Sequence, residues 1–132
     1  MVRVQILKNT LPPVTMPHDV TTLDILTDKV NVPDDETTYW CHVQKLSSKF
    51  EIKHHVLQYE AIIQNGNEGL VHHMEVFHCM APAKEEIPIY VGSCFAVERP
   101  ETTMVCKRVL AAWAMGAKPF IYPEVSKKVD SC

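Results

Sequence analysis

Apolar and polar residues alternate cleanly from His54 to Gln64, so that His55, Leu57, Tyr59, Ala61 and Ile63 share one face of a predicted strand. The segment Asn65-Gly66-Asn67-Glu68-Gly69 follows. Asn-Gly between two apolar runs is a strong hairpin signal, which makes Leu70–Cys79 the expected returning strand. Thr37–Leu46 is rich in Thr, Tyr, Trp and Val and suits a pleated surface. Leu23–Val32 is a further strand candidate, closed by Pro33-Asp34-Asp35. Residues 1–22 read as a linker, because Pro12, Pro13 and Pro17 each lack a donor and hold their neighbours extended. Residues 80–100, broken by Pro82, Pro88, Gly92 and Pro100, read as loop. The tail 125–132 has little to bury and is expected to fray.

One stretch pulls two ways. Lys107–Met115 contains strong helix formers, and Gly116 could close a helix there. Its surroundings are short strands and turns, and tertiary context often overrides propensity. The whole pattern favours an all-β fold, an antiparallel β-sandwich.

Composition narrows the field. The chain has 132 residues, 46% of them apolar and 22% charged, which suits one globular domain or half of a larger one. Net charge is −3 and no basic stripe occurs, so nucleic acid is not an expected partner. No apolar run approaches the ~20 residues of a membrane helix. The opening Met1–Thr10 lacks the roughly 7–15-residue apolar core of a signal peptide, so the chain is expected to be soluble as given.

Five cysteines, Cys41, Cys79, Cys94, Cys106 and Cys132, include no Cys-x-x-Cys pair, which excludes a zinc ribbon or thioredoxin-like motif. They are either buried thiols or two disulfides with one cysteine left over, and spacing alone leaves both open. Gly-x-Ser-x-Gly elbows and glycine-rich phosphate loops are absent, and no catalytic residue is assigned.

Seven histidines include two adjacent pairs, His54-His55 and His72-His73. Neighbours in a regular strand point to opposite faces, so such a pair cannot aim both rings at one ion. A bulge, or a place just past a turn, relaxes that rule, and Gly66 and Gly69 lie close before His72-His73. Imidazole suits copper, zinc or nickel rather than calcium or magnesium. Two ligands are too few for tight binding. His78 would lie ~20 Å beyond His72 on an extended strand and is a poor third. Glu75 is as well placed to be solvated as to orient an imidazole. His18 and His42 are read as surface residues.

The motifs Thr37-Thr38-Tyr39-Trp40-Cys41 and Gly66-Asn67-Glu68-Gly69-Leu70-Val71-His72-His73-Met74-Glu75-Val76-Phe77-His78-Cys79 closely resemble the copper type II, ascorbate-dependent monooxygenases, and within them the dopamine and tyramine β-hydroxylases. Val109–Ala117, Tyr122-Pro123-Glu124 and the opening Arg3–Lys8 extend the resemblance over residues 3–124. It implies a jelly-roll-like β-sandwich, the N-terminal of two copper domains, over residues 23–124, with 125–132 a divergent tail. It implies an extended conformation for 103–115, against propensity. His72 and His73 match the paired histidines that bind the electron-donating copper. Cys41 would pair with Cys94, and Cys79 with Cys106. The implied activity is hydroxylation of phenylethylamines with O₂ and ascorbate, in a secretory vesicle or outside the cell.

The resemblance also implies a third copper histidine in a Val-His-Tyr stretch, which Val125–Cys132 does not contain. A sandwich incomplete at its C-terminus, and a truncated product inactive alone, are therefore expected. The competing expectations are a disulfide-stapled extracellular module acting through protein contacts, with self-association through unpaired edges, and a zinc site on the same imidazoles.

Overall fold

The computed structural model describes residues 15–27, 29–34 and 37–122. Among these described residues there are six strands: β1 (Trp40–Val43), β2 (Gln58–Tyr59), β3 (His73–Cys79), β4 (Tyr90–Ser93), β5 (Cys106–Ala114) and β6 (Phe120–Ile121). Two short 3₁₀ turns, Ser48–Phe50 and Glu101–Val105, complete the elements. Every strand pair is antiparallel, and the strands join two by two, β1 with β4, β2 with β6 and β3 with β5. The expected all-β, antiparallel class is what the chain adopts. The linker residues 1–14 and the tail 125–132, with Cys132, lie outside the described residues.

The β3–β5 ladder is the longest. It runs in register from His73↔Ala114 to Val76↔Ala111, then shifts at Val76/Phe77 and again at His78/Cys79. The partner numbers step from Ala111 to Val109 and from Arg108 to Cys106, so Leu110 and Lys107 are the extra residues of β5. Leu110 turns its irregularity to use, because its carbonyl accepts the Tyr122 hydroxyl at 3.4 Å and ties β6's flank to β5. At that flank Tyr59, Phe120 and Tyr122 form a ring cluster, with Tyr59–Phe120 stacked at 5.3 Å and Phe120–Tyr122 edge-on at 4.9 Å.

Both disulfides implied by the resemblance are present, Cys41–Cys94 and Cys79–Cys106. A polar knot joins them. Thr103, fully buried, donates from Oγ1 to the Pro100 carbonyl (2.7 Å) and accepts from Arg99 Nε (2.9 Å). Arg99 Nη1 donates to the Cys94 carbonyl at 2.9 Å. Gly92 belongs to the same region: a Cβ there would stand 2.7 Å from the Tyr90 hydroxyl, which folds over it to donate to the Ser93 carbonyl (2.7 Å).

Several expectations are corrected. Asn65-Gly66 does make a turn, with Gly66 at φ +92° and Asn67 N–H donating to the Gln64 carbonyl (3.0 Å). Its flanks do not pair as a hairpin, however, because β2 takes β6 and β3 takes β5. The alternation over 54–64 yields only the two-residue β2, since a strand extends no further than its partner. The described part of 23–32 forms no strand and leaves Leu23, Ile25, Leu26 and Val32 exposed. Residues 80–100 contain β4, where Tyr90-Val91 and pairing with β1 outweigh Pro88 before the strand and Gly92 within it. Of the residues 103–115 expected to be extended, 106–114 are strand rather than helix, because pairing with β3 along that length outweighs local propensity, whereas 103–105 belong to the 3₁₀ turn Glu101–Val105, which has no strand partner.

Among the described residues no hydrophobic side chain is fully buried. Val97 is 97% exposed, Phe95 79% and Ile52 72%, so the disulfides, the ladders and the polar knot hold what apolar packing does not.

Candidate metal centre

His73 opens β3 and sits opposite Ala114. His72 lies one residue before the strand, just past a turn in which Leu70 N–H and Val71 N–H donate to the Asn67 carbonyl at 3.0 and 3.3 Å. The two ladder irregularities fall further along, so no bulge lies at His72-His73, and the turn at Asn67–Val71 directly precedes the pair. The His72 backbone is clamped: its carbonyl accepts Met115 N–H at 2.8 Å, one step past the His73↔Ala114 pair. Beyond it the chain turns back, with Ala117 N–H on the Ala114 carbonyl (2.9 Å) and Trp113 Nε1–H on the Ala117 carbonyl (2.8 Å). Both imidazole-bearing residues are exposed on this braced end of the ladder.

Tyr39 is the site residue that sequence reasoning missed. Its ring lies 5.9 Å from that of His73, tilted by 59°, and its other contact is Phe95 at 5.4 Å, edge-on. The Tyr39 carbonyl accepts Cys94 N–H at 2.9 Å, and Cys41, two residues on, is bonded to Cys94. Tyr39 is thus fastened to the β1–β4 pair while touching a side chain of β3. The signals available were its place in the Thr37–Cys41 motif and its position two residues before Cys41.

The remaining candidates separate from this centre. His78 stands opposite Arg108, six residues along from His72. Glu75 is exposed opposite Ala112. His54 spends Nδ1 on the Ile52 carbonyl (2.7 Å) and its ring lies 5.3 Å from that of Phe50, tilted by 58°, a local arrangement. His18 is exposed as expected, but His42 is half-buried with Nδ1 sealed from solvent, because β1 places it beside Val91 of β4. Among the described residues no group of three His, Cys, Asp or Glu side chains converges on one point. His72 and His73 therefore fit copper in kind, as accessible imidazoles, and supply two donors.

Comparison with known proteins decides the family. The profile of the copper type II ascorbate-dependent monooxygenase N-terminal domain matches residues 23–129. The chain belongs to this family. Dopamine beta-hydroxylase from human is 45% identical over 122 residues, covering 92% of this chain and 19% of that protein. The bovine protein of the same name is 48% identical over the same length, covering 92% and 20%. DBH-like monooxygenase protein 1 from chicken is 36% identical over 107 residues, covering 81% and 17%. The chain thus spans about a fifth of the length of the dopamine beta-hydroxylases it matches. No solved structure matches it. The family's chemistry is that of copper and ascorbate, and among the described residues no helix is long and apolar enough to cross a membrane.

Proposed function

We propose that this chain supplies the electron-transfer copper domain, the one that donates electrons onward, of a dopamine/tyramine β-hydroxylase-like monooxygenase, with His72 and His73 as two of the metal's ligands. The observation that carries this reading is the pair of exposed imidazoles on a backbone fixed by the Met115–His72 hydrogen bond and the His73↔Ala114 pairing. A copper ion held there by His72 and His73 would supply one-electron redox chemistry, in keeping with the ascorbate dependence of the family. The chain's own part is to hold donors in place. Neutral imidazoles bind both copper oxidation states without the strong bias a thiolate would impose, and all four cysteines of the described residues are tied in disulfides away from metal chemistry.

In the complete enzyme the substrate would be a phenylethylamine, hydroxylated at the benzylic carbon in a second copper domain. The two disulfides suit an oxidising compartment, a secretory vesicle or the extracellular space. The candidate centre brings two imidazoles and, among the described residues, no third ligand, so these 132 residues assayed alone are not expected to turn over tyramine.

Copper titration tests the assignment. The chain is expected to bind one copper, and His72→Ala/His73→Ala is expected to abolish it. Equal binding by the double variant overturns the assignment, and stronger retention of zinc than of copper favours a structural zinc site instead.

A second reading has its own support. With no apolar side chain fully buried among the described residues, and Ile89 71% and Val97 97% exposed, the same domain offers surface for protein contact. As a disulfide-stapled module it would associate with a second copy or with further domains. Sedimentation that stays monomeric at every concentration tells against it.

A further inference from the structure

Beside the Cys79–Cys106 end of the β3–β5 ladder is a cavity of about 400 Å³ lined by Glu85, Glu101, Thr102, Met104, Val105 and Lys107. We propose that this cavity binds a free amino acid with an apolar side chain, its ammonium on Glu85 and Glu101 and its carboxylate on Lys107. The imidazoles stand at the ladder's other end, so the proposal goes beyond the copper reading and does not rest on it.

Each wall is placed by the chain around it. Thr103 is fully buried, and its neighbours Thr102 and Met104 in the 3₁₀ turn are exposed. The knot that ties Thr103 to Pro100 and Arg99 therefore also fixes Glu101, Thr102 and Met104 at the cavity. Lys107 is an extra residue of β5: the ladder passes from His78↔Arg108 to Cys79↔Cys106 and leaves it without a partner on β3. A bulge of this kind re-aims a side chain, and such irregularities are common beside active sites. Glu85 arrives from the other strand. The chain after Cys79 turns at Pro82–Glu85, where Glu85 N–H donates to the Pro82 carbonyl (3.1 Å) and Lys84 stands at φ +78°. The Cys79–Cys106 bridge joins the start of this loop to the residue before Lys107, so one covalent tie clamps both walls.

Charge selects the ligand. The Glu85, Glu101 and Lys107 side chains line one cavity, yet among the described residues none of them makes an ion pair. Two carboxylates and an ammonium kept apart in this way suit a ligand that carries both signs at once. A simple anion would face the carboxylates, and a simple amine or a metal ion would face Lys107. Among the described residues no third His, Cys, Asp or Glu joins the two glutamates to form a cation site. A zwitterion meets both signs with charge-assisted hydrogen bonds, and Thr102 adds a hydroxyl. Met104 and Val105 supply the apolar part of the lining, and the unbranched Met adapts to side chains of several shapes. The volume falls within the roughly 300–1,000 Å³ of small-molecule sites.

Titrations of the full chain, under chelator and without reductant, test this by amide shifts. L-Leucine and L-phenylalanine are expected to give saturable shifts at Glu85 and Glu101–Lys107. A Kd on the order of 1 mM is expected for ligands of this size in an exposed cavity. Leucine amide lacks the carboxylate and N-acetylleucine lacks the ammonium. Each should bind at least about tenfold more weakly, the scale of losing one charge-assisted contact. Glu101→Gln and Lys107→Gln should each weaken leucine about tenfold while the shifts of β1–β4 and β2–β6 stay as in wild type. Lys107→Gln should in addition erase the preference for leucine over leucine amide, which a merely structural lysine would not do. Absence of saturation up to about thirty times the expected Kd overturns the site. So does equal binding of the three leucine compounds, or binding by both variants as tight as that of wild type.

Discussion

Cys79 and Cys106 are partners twice over: they face each other in the β3–β5 ladder and they are joined by a disulfide. The ladder's other end is His73↔Ala114, with the Met115–His72 hydrogen bond beyond it. One end of the sheet is therefore locked covalently, and the other presents the imidazoles.

This relationship sets the first prediction. The Cys79–Cys106 bridge closes a 27-residue separation and the Cys41–Cys94 bridge 53. Chain-entropy arguments give them about 3.5 and about 4 kcal/mol. Cys79→Ser/Cys106→Ser and Cys41→Ser/Cys94→Ser should each lower unfolding free energy by that order in urea titrations. Midpoints unchanged from wild type would show that the bridges carry no stability. Peptide mapping without reductant checks the pairing itself.

Thr103→Val keeps the shape of the one fully buried side chain and removes its hydroxyl. The Pro100 carbonyl loses a donor and Arg99 Nε an acceptor. A loss of about 1–3 kcal/mol is expected, the penalty of leaving such groups unpaired. Thr103→Ser, which retains the hydroxyl, should lose less than half of that.

Gly92→Ala places a methyl group 2.7 Å from the Tyr90 hydroxyl and 3.0 Å from its ring carbon, so the Tyr90 side chain must swing off Gly92 and release the Ser93 carbonyl. A cost of about 1–2 kcal/mol is expected from the lost hydrogen bond and displaced ring. In a Tyr90→Ser background the same substitution should be close to neutral. A double-mutant cycle with no coupling would remove this account of the glycine.

Chelation should leave the fold in place. Ladders, bridges and the polar knot all form without reference to a metal, unlike small domains that are unfolded when their metal is absent. Far-ultraviolet circular dichroism and the urea midpoint are expected to be unchanged by EDTA. A collapse of either would mean that the His72–His73 end holds the sheet together.

Exposed Ile52, Ile89 and Val97 should make the chain associate as concentration rises. Sedimentation velocity is expected to show this, and Ile89→Ser/Val97→Ser should reduce it. Identical behaviour of wild type and variant would place the contact elsewhere.

The sequence by itself determined the chemistry and the class. Gly66 fixed a turn, the Thr-Tyr-Trp-Val stretch before the 3₁₀ turn fixed a strand, and the motif around His72-His73 marked the imidazole pair and, with the cysteines, the family. Those signals are local, because turn geometry, strand propensity and side-chain identity act over a few residues. Only the tertiary structure decided which strand meets which. The Asn-Gly turn suggested that its flanks pair, yet β3 takes β5 across the disulfide, and that ladder makes a strand of Lys107–Ala114 despite its helix formers. It likewise decided that His42 is half-buried and that Tyr39 lies against His73. Strand partners and ring contacts join residues tens of positions apart, and no window of sequence reports a distance closed only when the chain folds back on itself.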